Sequence, residues 1–593
     1  MARMNVMDAA VKILESEGVE YVFGVPGAAI LPFYNALRKS EHVLHLTMRH
    51  EEGATHAADG YARVTGKVGV AAGTSGPAGT NMITGLYTCQ ADSIPIICLT
   101  GQAPLAALHK EAFQAVDVVE IAKPVTKWAV QVKEAAQVPW VLRRAFQIAR
   151  SGRPGAVLID LPVDVQRQEI EYDPRLDEPL PVEKPAPSQA RVERALDMLL
   201  TAERPMLMPG GGVILADASK DLVDFAEYLQ IPVTPTLMGK GAIPEDHPLY
   251  AGIVGIQTQQ RFSNAIFLES DCVLVVGGRF AERHTGQLDV YRHGRRFIHV
   301  DVEPTQIGRV FEPDLGIAGD AKLTLQALLA AARGRTSAHE PGAWVARVAE
   351  LKRTLRRRMD FEDVPIKPPR VFKEINEFFG PDTIFVTAIG LYQIWSGQFQ
   401  LTYRPRHYHV CGQAGPLGWE IPACIGAKLA RRDQLVVGVV GDYSFQFLME
   451  ELGAAAQYRV PYVLIMINNR NLGLIRQAEL GYGMRFAVDL AYDTPAGEEH
   501  GTDHVKLMEA FGCAARRVER PSELAKAFDW AVAESQRTRR PVLVEVMVER
   551  DANAAMGPAI DSIKEFEAPP EAHAEGARDG APAAAKKTSS KLG

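Results

Sequence analysis

Residues 435–476 read LVVGVVGDYSFQFLMEELGAAAQYRVPYVLIMINNRNLGLIR. Residues 435–440 and 462–467 are nearly unbroken apolar runs of strand length, the pattern of strands buried on both faces of a parallel sheet. Residues 445–458 between them have a helical period, so the stretch predicts a βαβ unit. Its first strand ends in Gly441-Asp442 and its second in Asn468-Asn469. Open α/β sheets hold ligands beyond the carboxyl ends of their strands, so Asp442 and Asn469 converge on one point although 27 positions separate them. A carboxylate, an amide oxygen and a backbone carbonyl are hard oxygen donors suited to Mg2+, which also keeps water and takes phosphate oxygens. Alone, Gly-Asp reads as a turn and Asn-Asn as a strand-end cap. Together, between buried strands, they read as a metal site.

At 593 residues the chain is too long for one core, and about three domains of ordinary size are expected. A net charge of −7 gives no footprint for nucleic acid, which is therefore not expected as a partner. The cysteines Cys89, Cys98, Cys272, Cys411, Cys424 and Cys513 are scattered without CxxC pairs and read as reduced packing residues of a cytoplasmic protein. The N-terminal stretch is an amphipathic helix with acidic residues inside it, unlike a signal peptide. No apolar run is long enough to span a bilayer, so no membrane partner is expected.

Over residues 1–180, strand-like runs at 21–25, 43–47, 68–72, 94–100 and 156–160 alternate with helical stretches, which predicts a doubly wound parallel sheet. Prolines 174, 179, 181, 185 and 187 then mark a linker. Residues 188–335 repeat the alternation, with strands expected at 205–209, 231–235, 272–277 and 297–301. A charged helical connector, AWVARVAELKRTLRRRM, leads to a third region at 365–555 that contains the βαβ unit. The expected fold class is α/β, with three doubly wound parallel-sheet domains that share an architecture but no alignable repeat. Residues 568–593 lack periodicity and predict a disordered tail.

Several strand-end loops carry chemistry. Met48-Arg49-His50-Glu51-Glu52-Gly53 opens a helix, where glutamates ordinarily complement the dipole. Ser444 and Phe445 offer a hydroxyl and backbone amides at a helix N-terminus, a natural phosphate site. The spacing from Gly441-Asp442 to Asn468-Asn469 resembles the diphosphate motif of thiamine diphosphate-dependent enzymes, although Tyr443 stands where many members have Gly or Ala. Arg49-His50-Glu51, the loop with Pro26 and Gly27, and GTSGPAG at residues 73–79 resemble the pyrimidine-binding domain of the same family. The resemblance implies Mg2+ on Asp442, Asn469 and the backbone carbonyl of Asn471, with Gln393, Gly415 and Gly441 also on the cofactor. It implies that Leu417 wedges between the cofactor rings and that Phe113-Gln114 lines the substrate side. Glu51 would share a proton with the aminopyrimidine and so promote loss of the proton at thiazolium C2, with Glu52 its nearest rival.

In the middle region, Gly210-Gly211 after a strand, Met238 in TPTLMGKG, Arg279, Asp301 and Asp320 resemble the FAD-binding domain of the family's carboligase branch, which contains acetohydroxyacid synthase and glyoxylate carboligase. There FAD is structural; Arg279 would face its phosphates, and Asp301 and Asp320 its ribose or adenine. GVPGAAI, HKEAFQAVD, VEPTQIGR, GQAGPLGW and MGPAIDSIKEFE point to the glyoxylate-condensing members. Residues 474–479 lack the Trp that acetohydroxyacid synthases carry near this point. The glyoxylate-condensing members have Val at the position of Glu51, followed by the Glu seen here as Glu52, so this chain sets the general family acid in a carboligase frame. The implied activity is that of a lyase joining two glyoxylates into tartronate semialdehyde with loss of CO2. Alternatives are condensation of other 2-oxo acids, as in acetohydroxyacid synthase, or flavin redox chemistry, as in pyruvate oxidase. The family pattern also implies a homotetramer, with each active site built from two chains.

Overall fold

The computed structural model describes residues 2–484, 490–494, 496, 498 and 500–566; the tail expected at 568–593 lies outside the described residues. Strands β1 (Ala2–Asn5), β2 (Tyr21–Val25), β3 (Leu44–Thr47), β4 (Gly69–Gly73), β5 (Ile96–Gln102), β6 (Trp128–Gln131), β7 (Ala156–Pro162) and β8 (Glu169–Tyr172) belong to the first domain. Its six-stranded sheet has the order β3-β2-β4-β5-β7-β6 and is parallel throughout. β1 and β8 form a separate antiparallel ribbon that no sequence pattern announced.

The middle domain holds β9 (Pro205–Pro209), β10 (Cys272–Val276), β11 (Arg296–Asp301) and β12 (Leu315–Ala318) in a parallel sheet of order β12-β11-β10-β9. The strand expected at 231–235 does not form. Only Val233 bridges, to Leu207 and Tyr250, because the two prolines there, Pro232 and Pro235, remove ladder donors. The third domain holds β13 (Ile384–Thr387), β14 (Tyr408–Val410), β15 (Val436–Gly441), β16 (Val463–Asn468), β17 (Ala514–Val518) and β18 (Val542–Met547). Its order, β14-β13-β15-β16-β18-β17, repeats that of the first sheet strand for strand. β15 and β16 are buried along their whole lengths, as their unbroken apolar runs required. The helix expected at 445–458 is instead two, Asp442–Phe445 and Glu451–Gln457.

A single hydrophobic cluster joins the first and third sheets through the helices Glu51–Thr65 and Glu420–Ala430. These helices touch backbone to backbone: a Cβ on Gly60 would strike Ala423, and one on Gly426 would strike Ala57. Beneath the crossing, buried Arg63 binds Asp59 (2.7 Å) and Asp92 (3.0 Å) and stacks 5.1 Å from the Trp419 ring. Beyond residue 555 the chain returns to the middle domain, where Glu565 pairs with Arg357 (2.8 Å) and Arg261 (3.1 Å). All six cysteines are buried and free. Among the described residues no helix is long and apolar enough to cross a membrane.

Candidate active site

In both six-stranded sheets the strand order reverses beside the first strand, between β2 and β4 and between β13 and β15. Such switch points leave a crevice at the carboxyl ends of the strands. In the third domain Gly441 pairs with Ile467, so Asp442 and Asn469 emerge side by side. Asn468 caps the strand end, its amide donating to Glu545 (2.8 Å) and its oxygen accepting from the Arg470 amide (3.0 Å). Burial pushes the Asp442 carboxyl up to about 7, while the His504 ring and the amides of Asp442, Tyr443 and Arg470 draw it down.

The crevice is chemically unsatisfied. Among the described residues, Asp442 Oδ2, Asn471 Oδ1 and Gln393 Nε2 are buried without a hydrogen-bond partner. A buried polar group left unpaired costs about 1–3 kcal/mol, so this concentration marks a place for a ligand. Acceptors on Asp442 and Asn471 suit a hard cation, and a donor on Gln393 suits a phosphate. No cluster of three His, Cys, Asp or Glu forms among the described residues, so one carboxylate flanked by amides is the donor set on offer. Buried Glu420 supports this floor: Tyr392 donates to one of its oxygens, and Ser444 donates at 3.0 Å to the other. The Ser444 oxygen in turn accepts from the Gly418 amide (2.9 Å), so this hydroxyl, expected on a phosphate, is committed to the protein. Phe445 is fully buried, its ring 5.5 Å from His504, and has only backbone to offer a ligand. Leu417 is half-buried, and Gly415 takes a φ of +63° in the loop that carries both.

The first-domain crevice gathers the other expected residues. Glu51 opens its helix beside Gly73, and its carboxylate accepts from Asn81 (2.9 Å). Glu52 turns back along the helix to His56 (3.4 Å). Gly27 packs on Thr74, where a Cβ would come within 2.5 Å, and Pro26 is exposed at the rim. Gln114, at a φ of +58°, leans on Gly76, and Phe113 beside it is 86% exposed.

The middle domain faces a cavity of about 250 Å³ whose lining includes Gly211, Met238, Arg279, Asp301 and Asp320. Gly210 does not line it: its Cα packs on the Gly277-Gly278 backbone, which leaves no room for a side chain there. Burial raises the Asp301 carboxyl to about 6 against the nearby Arg153 and Arg279. Asp320 caps the helix Ala321–Arg335. Arg279 also ties the domains together, donating to the Ala91 carbonyl and lying 3.8 Å from Asp92. Glycine N–H and guanidinium groups can donate to a dinucleotide's phosphates, and carboxylates can accept from its ribose hydroxyls.

Two cavity residues went unread in the sequence. Arg153 arrives from the first domain, on the loop before β7. Arg283 is a largely buried cation with no carboxylate partner among the described residues; it donates to Gln257 (2.6 Å) and Gln393 (3.4 Å) and so spans the cavity and the third-domain crevice. Both belong to short stretches without a distinctive pattern, and their neighbours come from other domains.

Sequence comparison matches the same three parts of the chain. Residues 4–121 match the thiamine pyrophosphate enzyme N-terminal TPP binding domain, residues 192–328 the central domain and residues 388–546 the C-terminal TPP binding domain. The chain belongs to the thiamine pyrophosphate enzymes. It is 53% identical over 576 residues to a glyoxylate carboligase of Escherichia coli O157:H7, with 96% of this chain and 97% of that protein aligned. It is 38% identical over 558 residues to a probable acetolactate synthase large subunit of Methanocaldococcus jannaschii, covering 92% of each. An acetolactate synthase large subunit of Corynebacterium glutamicum is 37% identical over 557 residues, covering 93% of this chain and 88% of that protein.

Proposed function

We propose that this protein is a thiamine diphosphate-dependent lyase that condenses two molecules of glyoxylate to tartronate semialdehyde and CO2. The observation that carries the reading is the full-length likeness, 53% over 96% of the chain, to a glyoxylate carboligase. One carbon–carbon bond breaks and one forms, so no external oxidant or reductant is required. FAD, which would be held in the middle-domain cavity by Arg153, Arg279, Asp301 and Asp320, would therefore have a structural role.

Thiamine diphosphate, when bound, supplies a nucleophilic carbon and a sink for the electrons released with CO2. The chain's residues do the rest. Asp442, Asn469 and Asn471 would hold Mg2+, and the unpartnered Gln393 amide would donate to a phosphate oxygen. Leu417 would pack against the cofactor, and Glu51 would share a proton with its aminopyrimidine nitrogen. Arg283, without a carboxylate partner among the described residues, would take the carboxylate of the 2-oxo acid; Leu472, Leu474 and Ile475, which follow Asn471, would supply apolar walls. Exposed apolar side chains, among them Phe113 (86%), Leu480 (57%) and Ile475 (50%), suit burial against a second copy of the chain. On this reading Glu51 of one protomer serves the Asp442 of its partner, within a homotetramer.

Glu51, placed on the first-domain crevice where the glyoxylate-condensing frame has Val, favours a second reading: condensation of other 2-oxo acids, as the acetolactate synthase relatives suggest. Product analysis with equal glyoxylate and pyruvate, in the presence of thiamine diphosphate, Mg2+ and FAD, decides between them. Tartronate semialdehyde as the main product supports the first reading. Acetolactate or a mixed product overturns it in favour of the second.

A further inference from the structure

The turn that presents Glu51 is held from another domain. The helix Glu451–Gln457 and the residue after it lie across residues 47–53 of the same chain. The Tyr458 hydroxyl accepts from the Thr47 amide (2.8 Å), and Gln457 accepts from the Arg49 guanidinium (2.6 Å). Between them the Glu451 carboxylate accepts from two successive backbone amides, that of Arg49 (3.1 Å) and that of His50 (2.9 Å). Glu451 is fully buried, and Gly53 makes room for it: a Cβ at that position would run into the carboxylate. His50 is the N-cap of the Glu51–Thr65 helix, so these amides set the angle at which the helix leaves β3 and where its first residue, Glu51, stands.

A buried carboxyl group carries a desolvation penalty that a small hydroxyl or amide would reduce. Burial raises this one to about 8, against the pull of the His50 and Arg49 amides. What the carboxyl group supplies is one oxygen within reach of two adjacent N–H groups, and it keeps that acceptor whether or not it is protonated. We propose that Glu451 is a positioning residue for the proposed proton-sharing acid: it clamps Arg49 and His50 so that the Glu51 carboxylate points into the crevice beside Gly73. The inference rests on the reading of Glu51 given above.

The test is the rate of hydrogen–deuterium exchange at C2 of thiamine diphosphate bound to the Mg2+-loaded protein, with cofactor affinity and the thermal midpoint measured alongside. Glu451→Gln keeps the acceptor oxygen and is expected to exchange within about threefold of the unaltered protein. Glu451→Ala removes the clamp and Gly53→Ala displaces it, and both are expected to slow exchange by about tenfold or more while cofactor affinity changes little. A merely structural residue would shift the midpoint or the affinity and leave exchange alone. Unaltered exchange in Glu451→Ala and Gly53→Ala, with Glu51→Gln slow, overturns the role of Glu451 only. Equal slowing by Glu451→Gln and Glu451→Ala overturns the clamp as well, since the proton and not the acceptor would then matter. If Glu51→Gln itself exchanges normally, the reading of Glu51 fails and the proposal fails with it.

Discussion

Asp442 and Glu51 are charged residues whose surroundings, more than their identities, decide what they do. Asp442 was legible because Gly-Asp and Asn-Asn close two unmistakably buried strands. Asp442→Ala is expected to weaken thiamine diphosphate binding by about tenfold or more and to abolish its dependence on Mg2+, read by titration of intrinsic fluorescence. Arg283 and Glu451 were not legible, since nothing local distinguishes a buried arginine or glutamate from an exposed one. Burial also sets a pH dependence. Glu451 is raised to about 8 and Glu420 to about 7, from an ordinary value of 4.5. Between pH 8 and 7 these two groups take up protons in the folded apoprotein that they do not bind in the unfolded chain, so their contribution to stability rises as pH falls and is lost as pH rises. The urea midpoint of the unaltered apoprotein, measured relative to that of Glu451→Gln, should therefore be higher at pH 7 than at pH 8.

The strands of the three sheets follow from short apolar runs, and most of the expected runs lie within a few residues of the strands formed. Helix breaks are harder to read. The apolar period runs on from Phe445 through Leu448 and Leu452, yet the helix stops at Phe445 because the loop after β14 docks there, with Gly418 against Phe447 and Leu448. That contact joins residues which no local period connects. The crossing of Glu51–Thr65 and Glu420–Ala430 depends on glycine in the same way. Gly426→Ala would press a methyl group into the Ala57 backbone and is expected to destabilise the protein by about 1–3 kcal/mol, read from urea unfolding.

At the scale of the molecule, first and third domains with the same strand order place their crevices at equivalent points, and each crevice holds only part of the proposed chemistry. If each active site joins two protomers, mixing Glu51→Gln with Asp442→Ala chains should restore activity that neither has alone. Half of the randomly paired dimers are then mixed and contain one intact site, giving about a quarter of the original activity after dissociation and reassociation. No recovery would place both residues of a site in one chain. The amino-acid sequence by itself determined the three α/β units, the strand-end positions of Asp442 and Asn469 and the helix that begins at Glu51, because burial on both faces, helical period and turn residues are local properties. Only the tertiary structure decided that the first and third sheets share one strand order, that Arg153 enters the middle-domain cavity, and that Glu451 caps a turn 401 residues before it, at His50. Those outcomes depend on shape and hydrogen-bond complementarity between elements far apart in sequence, which no periodicity records.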